Sequence, residues 1–191
     1  MEKIRAFIAI PVTDEVRAVV DEMESRLRDV GANVKWVAPV NVHVTLKFLG
    51  NIPVSDVEKL TQALHEALND ISSFEVAIAG LGTFPGGRAK PRVVWLGMGT
   101  GGERLANVAD KVEDACSRLG FEREKRPFAA HLTIGRVRRG SGRLPELADR
   151  AAKLQFNPLQ LKVDTVSLVR SRLTPEGPTY TVLESFALGD S

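Results

Sequence analysis

Apolar and polar residues alternate from Lys3 to Ile10, placing Ile4, Ala6, Ile8 and Ile10 on one face of a predicted strand that Pro11 ends. Val16, Val19, Val20, Met23, Leu27 and Val30 then recur at helical spacing, with Gly31 as the stop. A short apolar run, Val34 to Val37, surrounds Trp36 and precedes Pro39. The next helix carries Val57, Leu60, Leu64, Leu68 and Ile71 inward, and Ser55 with Glu58 reads as a capping box at its start. His65 falls beside that stripe and is expected to face solvent.

Strands are predicted from Phe74 to Ala79 and from Arg92 to Leu96, joined by the Gly/Pro-rich stretch Gly82 to Pro91. A helix from about Glu103 to Leu119 turns Leu105, Val108, Val112, Ala115 and Leu119 inward, with Cys116 on the same stripe. Phe128 to Val137 reads as a strand in which strict alternation would put Arg136 on the apolar face, so Gly135 is expected to mark a bulge or strand end. Pro145 suits the first turn of a short helix to about Leu154, and two strands, Gln160 to Val169 and Thr179 to Phe186, finish the chain. Helices separated by paired strands indicate an α+β fold with antiparallel sheet rather than a doubly wound parallel one.

Composition narrows the class. With 43% hydrophobic and 26% charged residues over 191 positions, the chain is an ordinary globular sequence able to bury a sizeable core. A net charge of +2 announces no polyanion partner overall, although Arg123, Lys125, Arg126, Arg136, Arg138, Arg139 and Arg143 crowd one stretch. A single cysteine excludes an internal disulfide and a multi-cysteine metal site, and Cys116 is expected to be core filler. The apolar run Ala6 to Ile10 is too short for a signal peptide or membrane span, so a cytoplasmic protein without membrane contact is expected.

One pattern occurs twice. His43-Val44-Thr45-Leu46 returns as His131-Leu132-Thr133-Ile134. One histidine on a strand is more often structural than catalytic. Two matching copies among three histidines have odds on the order of one in a thousand from composition alone. On a strand, each His shares a face with its Thr, while Val44, Leu46 and Phe48, or Leu132 and Ile134, take the other.

Two imidazoles flanked by hydroxyls suit phosphodiester hydrolysis, where one group takes a proton from water and another gives one to the leaving oxygen. An ordinary His pKa near 6.5 allows one copy to be neutral and the other charged near neutrality. The Thr hydroxyls can hold the non-bridging oxygens. Three histidines without acidic partners at ligand spacing make a poor zinc site, and no G-x-S-x-G elbow is present. These residues alone leave open a nuclease acting on internal RNA linkages, and do not tell acid from base.

The paired motifs, with Arg5-Ala6-Phe7-Ile8-Ala9-Ile10, Val93-Val94-Trp95-Leu96-Gly97 and Phe128 to Arg136, resemble the 2H phosphoesterase superfamily, and within it the RNA 2′,3′-cyclic phosphodiesterases also described as 2′-5′ RNA ligases. That branch often has Pro before the second His, where this chain has Ala130. The resemblance covers essentially the whole chain and implies one bilobal domain over 1–191, two pseudo-twofold-related lobes of antiparallel sheet with outer helices around a central cleft. It implies hydrolysis of RNA 2′,3′-cyclic phosphate ends to a 2′-phosphate without metal or cofactor, with His43 as proton donor, His131 as acceptor, and Thr45 and Thr133 holding phosphate. Arg136 and Phe7 are further substrate-binding candidates, the first for phosphate and the second for stacking a base. Small cyclic nucleotide phosphodiesters are equally open as substrates, as are 2′-5′ ligation in the same site and a non-catalytic RNA-end binder. A monomer is expected.

Overall fold

The computed structural model describes residues 2–85 and 90–189. Its elements run β1 (Lys3–Pro11), α1 (Asp14–Arg28), β2 (Val34–Trp36), β3 (His43–Pro53), α2 (Val57–Leu68), β4 (Phe74–Phe84), β5 (Val93–Met98), α3 (Gly102–Arg118), β6 (His131–Val137), α4 (Leu144–Lys153), β7 (Leu159–Val163), β8 (Thr165–Thr174) and β9 (Gly177–Ala187). All strand pairs between these elements are antiparallel, in the order β7-β4-β5-β6-β3-β1-β8-β9, with β2 against β6. The α+β expectation holds.

Two four-strand halves meet in the middle of that order, where β3 and β6 pair through Val44 and Leu132. The halves repeat one another. Phe7, Ile8, Ala9, Ile10 and Pro11 stand against Phe48, Lys47, Thr45, Val44 and His43. Val93, Val94, Trp95, Leu96 and Gly97 stand in the same way against Arg136, Gly135, Thr133, Leu132 and His131. In both, the register slips by one residue just after the motif threonine, at Leu46 and at Ile134.

The helices form because their apolar stripes have a sheet to cover. Thr13 caps α1 by accepting from the Val16 N–H, and Arg26 and Arg28 in its last turn oppose the helix dipole. Val16, Val20, Met23 and Leu27 are buried with Leu60, Leu64 and Leu68 of α2 and Leu105, Val108 and Val112 of α3 in one continuous core under both halves. Cys116 lies fully buried within it, and burial pushes its thiol up to about 12, so it is inert filler as expected. Among the described residues, no helix is long and apolar enough to cross a membrane.

Several expectations are corrected. Ser55 lies in a 3-10 turn, Val54–Asp56, so α2 starts at Val57 without a side-chain cap and no capping box forms. Strand β6 begins only at His131, because Phe128 to Ala130 pair with nothing regular. The stretch Gln160 to Val169 breaks at Asp164 into two strands. Leu119 falls beyond the end of α3 and is 39% exposed. Of the Gly/Pro-rich stretch, Gly86 to Ala89 lie outside the described residues.

Candidate active site

The central crossing assembles the four groups that the motifs supply. Antiparallel pairing at Val44 and Leu132 sets His43 across from Thr133 and Thr45 across from His131 on one face. The two histidines are then diagonal neighbours, a relation that spans about 7–8 Å in a sheet. Val44 and Leu132 on the opposite face are completely buried and anchor both strands.

Each imidazole is held in the same way. His43 Nδ1 lies 2.8 Å from the Asn41 carbonyl, and His131 Nδ1 lies 2.7 Å from the Ala129 carbonyl. A carbonyl only accepts, so both Nδ1 atoms carry the proton, and in each ring Nε2 is the nitrogen left to gain or lose one. Such a nitrogen is a base when the ring is neutral and an acid when it is charged.

Their surroundings differ. The Phe7 ring stacks on His43 at 4.7 Å, and the edge of Tyr180 meets His43 at 5.4 Å and Phe7 at 5.0 Å. Burial pulls the His43 pKa below its ordinary value, the Asn41 hydrogen bond opposes this, and the Arg136 charge adds to the fall. His131 instead meets the edge of Phe84, which stacks on Trp95. Tyr180 is pushed up by burial, with Arg136 and Arg5 pulling the other way.

The register slips decide what else reaches this face. Without one, Arg136 would share the core face with Leu132 and Ile134. The slip at Ile134 buries Gly135 instead and leaves Arg136 exposed, its charge felt at both His43 and Tyr180. Gly135 is required there, since a Cβ would come within 2.7 Å of the Val34 side chain and 2.9 Å of the Trp36 ring. The slip at Leu46 acts identically on β3. Lys47 turns inward, where its ammonium donates to Glu113 and to the Glu122 carbonyl. Phe48, expected in the core, is 61% exposed beside Phe7, with ring centroids 6.2 Å apart.

The structure therefore brings His43, His131, Thr45 and Thr133 to one face of the sheet, with Phe7 stacked on His43 and the Arg136 charge acting on it. Phe7 has only 3% of its surface exposed, in a small cluster with Ala9, Val169 and Tyr180 apart from the main core. Phe48, Tyr180 and Trp95 are additions that the sequence did not point out. Among the described residues no three His, Cys, Asp or Glu side chains gather to hold a metal ion.

The sequence model of the 2′-5′ RNA ligase superfamily matches residues 12–175. The chain belongs to that superfamily. It is 35% identical to a Methanothermobacter thermautotrophicus RNA 2′,3′-cyclic phosphodiesterase, over 97% of this chain and 100% of the relative. It is 37% identical to the Archaeoglobus fulgidus protein of the same description, over 96% and 99%. Among solved members of this 2H phosphoesterase fold, a Thermus thermophilus structure superposes with a TM-score of 0.78 at 28% identity, covering 98% of this chain and 99% of the other. Escherichia coli LigT complexed with 3′-AMP superposes at 0.76 with 25% identity, covering 98% and 99%.

Proposed function

We propose that this protein hydrolyses the 2′,3′-cyclic phosphate at an RNA end to a 2′-phosphate, in one bilobal unit spanning 1–191 and without a metal. The observation that carries this is the diagonal pair of Nε2 atoms, each set by an Nδ1–H donated to a backbone carbonyl, with a threonine across from each. Superfamily membership and relatives described as RNA 2′,3′-cyclic phosphodiesterases support the substrate class.

Water attacks phosphorus while the bond to O3′ breaks on the opposite side. His131 Nε2 takes the proton from water as the new P–O bond forms, and His43 Nε2–H gives its proton to O3′. A 2′-phosphate and a free 3′-hydroxyl result. Thr45 and Thr133 donate to the non-bridging oxygens, and Arg136 offsets the charge that develops on them. Phe7, nearly buried, backs His43, and the base-stacking role expected of it passes to exposed Phe48. His43 is held below its ordinary pKa in the free protein, and the arriving phosphate anion restores its affinity for the proton. Every group named comes from one chain, so a monomer suffices.

The test is incubation with an RNA oligonucleotide ending in a 2′,3′-cyclic phosphate, in EDTA, with products resolved by phosphorus NMR. A 2′-phosphate from the wild type, lost by orders of magnitude in His43→Ala and in His131→Ala, is expected. A 3′-phosphate would reverse the leaving oxygen, and retained RNA-end binding without turnover would leave a binding module. Ligation needs only a 5′-hydroxyl in place of water, so adding a 5′-hydroxyl RNA and probing for a 2′-5′ linkage tests that reading alongside.

A further inference from the structure

Four cations gather at one end of strands β1 and β8, beyond the aromatic cluster. Lys3 and Arg5 of β1 and Arg170 and Arg172 of β8 line one groove of 560 Å³ with Asn51 and Ser171. Strand register sets Lys3, Arg5, Asn51 and Ser171 on the face that carries Phe7, since Arg5 stands between Asn51 on β3 and Ser171 on β8, whereas Arg170 stands beside core-facing Ala6 and, with Arg172, points to the opposite face. All four are exposed, no carboxylate lines the groove, and none of the four joins an ion pair among the described residues. Elsewhere Arg17, Arg26, Arg28, Lys111, Arg123 and Lys125 each face a carboxylate. A chain with 24 acidic residues leaves this one groove without any, which suits a polyanion.

The groove is continuous with the catalytic cleft. Ser171 pairs with Tyr180, whose ring meets both Phe7 and His43, and the Arg5 charge reaches the Tyr180 phenol. Phe7, Arg5 and Lys3 alternate along β1, so their Cα atoms step away from the cleft by about 6.5–7 Å each. That step is of the order of one nucleotide of an extended strand.

We propose that this groove binds the backbone phosphates lying 5′ of the terminal cyclic phosphate, so that the protein selects a polynucleotide end over a mononucleotide. The proposal rests on the cyclic phosphodiesterase reading above. Such contacts are independent of base sequence and weaken with salt as counterions are taken back. With Lys3 and Arg5 both on phosphates, raising salt from 50 to 200 mM weakens single-strand binding by a factor of about 7 from these contacts, with one of them by about 3, and with neither not at all.

The experiment compares wild type with the double variant Lys3→Gln/Arg5→Gln. Turnover is measured on 2′,3′-cyclic AMP and on a hexanucleotide ending in a 2′,3′-cyclic phosphate. Binding of the hexanucleotide with an unreactive 2′-phosphate end is followed by fluorescence anisotropy at both salt concentrations. The wild type is expected to prefer the hexanucleotide in kcat/KM, the variant to lose at least tenfold on it alone, and the salt effect on binding to shrink as stated. Equal kcat/KM on both substrates in the wild type, or equal losses on both in the variant, overturns the groove. If neither substrate turns over, the catalytic reading fails, while anisotropy still decides the groove: binding unchanged in the variant rejects it. Should the double variant not fold, Lys3→Gln is measured in the same way and is expected to lower the salt effect by one contact.

Discussion

Glu24 is a carboxyl in the wrong solvent, and its removal has a calculable effect. It lies on the inward side of α1 between Val20, Met23 and Leu27, with its side chain 3% exposed. Its Oε2 accepts from Arg28 at 3.3 Å, and its Oε1 finds no hydrogen-bond partner among the described residues. Burial pushes its pKa up to about 7, against the pull of the Arg28 charge. Moving a carboxyl from 4.5 to about 7 amounts to about 3 kcal/mol at 1.36 kcal/mol per decade.

The sign follows from proton counting. Between about pH 4.5 and 7 the native protein keeps a proton that the unfolded chain has released, so stability falls as pH rises through that window. Below it Glu24 behaves as a neutral side chain. Glu24→Gln preserves shape and removes the ionisation. Urea unfolding followed by circular dichroism is expected to show the two proteins close together near pH 5 and the variant more stable by about 3 kcal/mol at pH 8.5, a midpoint shift of about 1–2 M. Since every other titrating group is shared, the difference isolates Glu24. Curves that stay parallel from pH 5 to 8.5 would refute the reasoning.

Other expectations follow from the site and its supports. In kcat/KM, which reports the free protein, the alkaline limb set by His43 is expected below the ordinary histidine value of about 6.5, and Arg136→Gln moves it upward; a limb that ignores Arg136 would separate that charge from His43. Lys47→Ala leaves the largely buried Glu113 without its cation and is expected to cost about 3–5 kcal/mol, whereas Lys47→Met with Glu113→Gln recovers much of it, as thermal unfolding would show. Phe48→Ala is expected to raise KM on cyclic nucleotides severalfold with little loss of thermal stability, because the ring is exposed; a fall in stability of about 3 kcal/mol would return Phe48 to the core.

Much of this architecture is legible in the residue pattern, because burial has a period. The stripe Val16, Val20, Met23, Leu27 and the alternation of Ile4, Ala6, Ile8 and Ile10 are buried as their spacing predicts. The duplicated His and Thr likewise share a face because the side-chain period of a strand is two. What the pattern conceals is a slip of register. One extra residue in a strand leaves no mark in an apolar–polar alternation, so Phe48 reads as core and Lys47 as surface, the reverse of what the slip at Leu46 produces. Gly135 betrays its slip only because a glycine stands there. Tyr180 is invisible for another reason: it reaches His43 through the pairing of β9 with β8 and β8 with β1, a relation between residues 137 positions apart.

The repeated register carries a problem of handedness. A cleft made of two interchangeable halves would accept a cyclic phosphodiester equally well either way round, and one of those poses presents the 2′-oxygen where the 3′-oxygen should depart. Position five after each histidine ends that degeneracy, since the slips bring Phe48 forward in one half and Arg136 in the other. A preference of only about 1.4 kcal/mol between an aromatic and a cationic wall makes one orientation tenfold more populated. Under the reaction proposed above, the pair of slips gives a symmetric frame a reading direction.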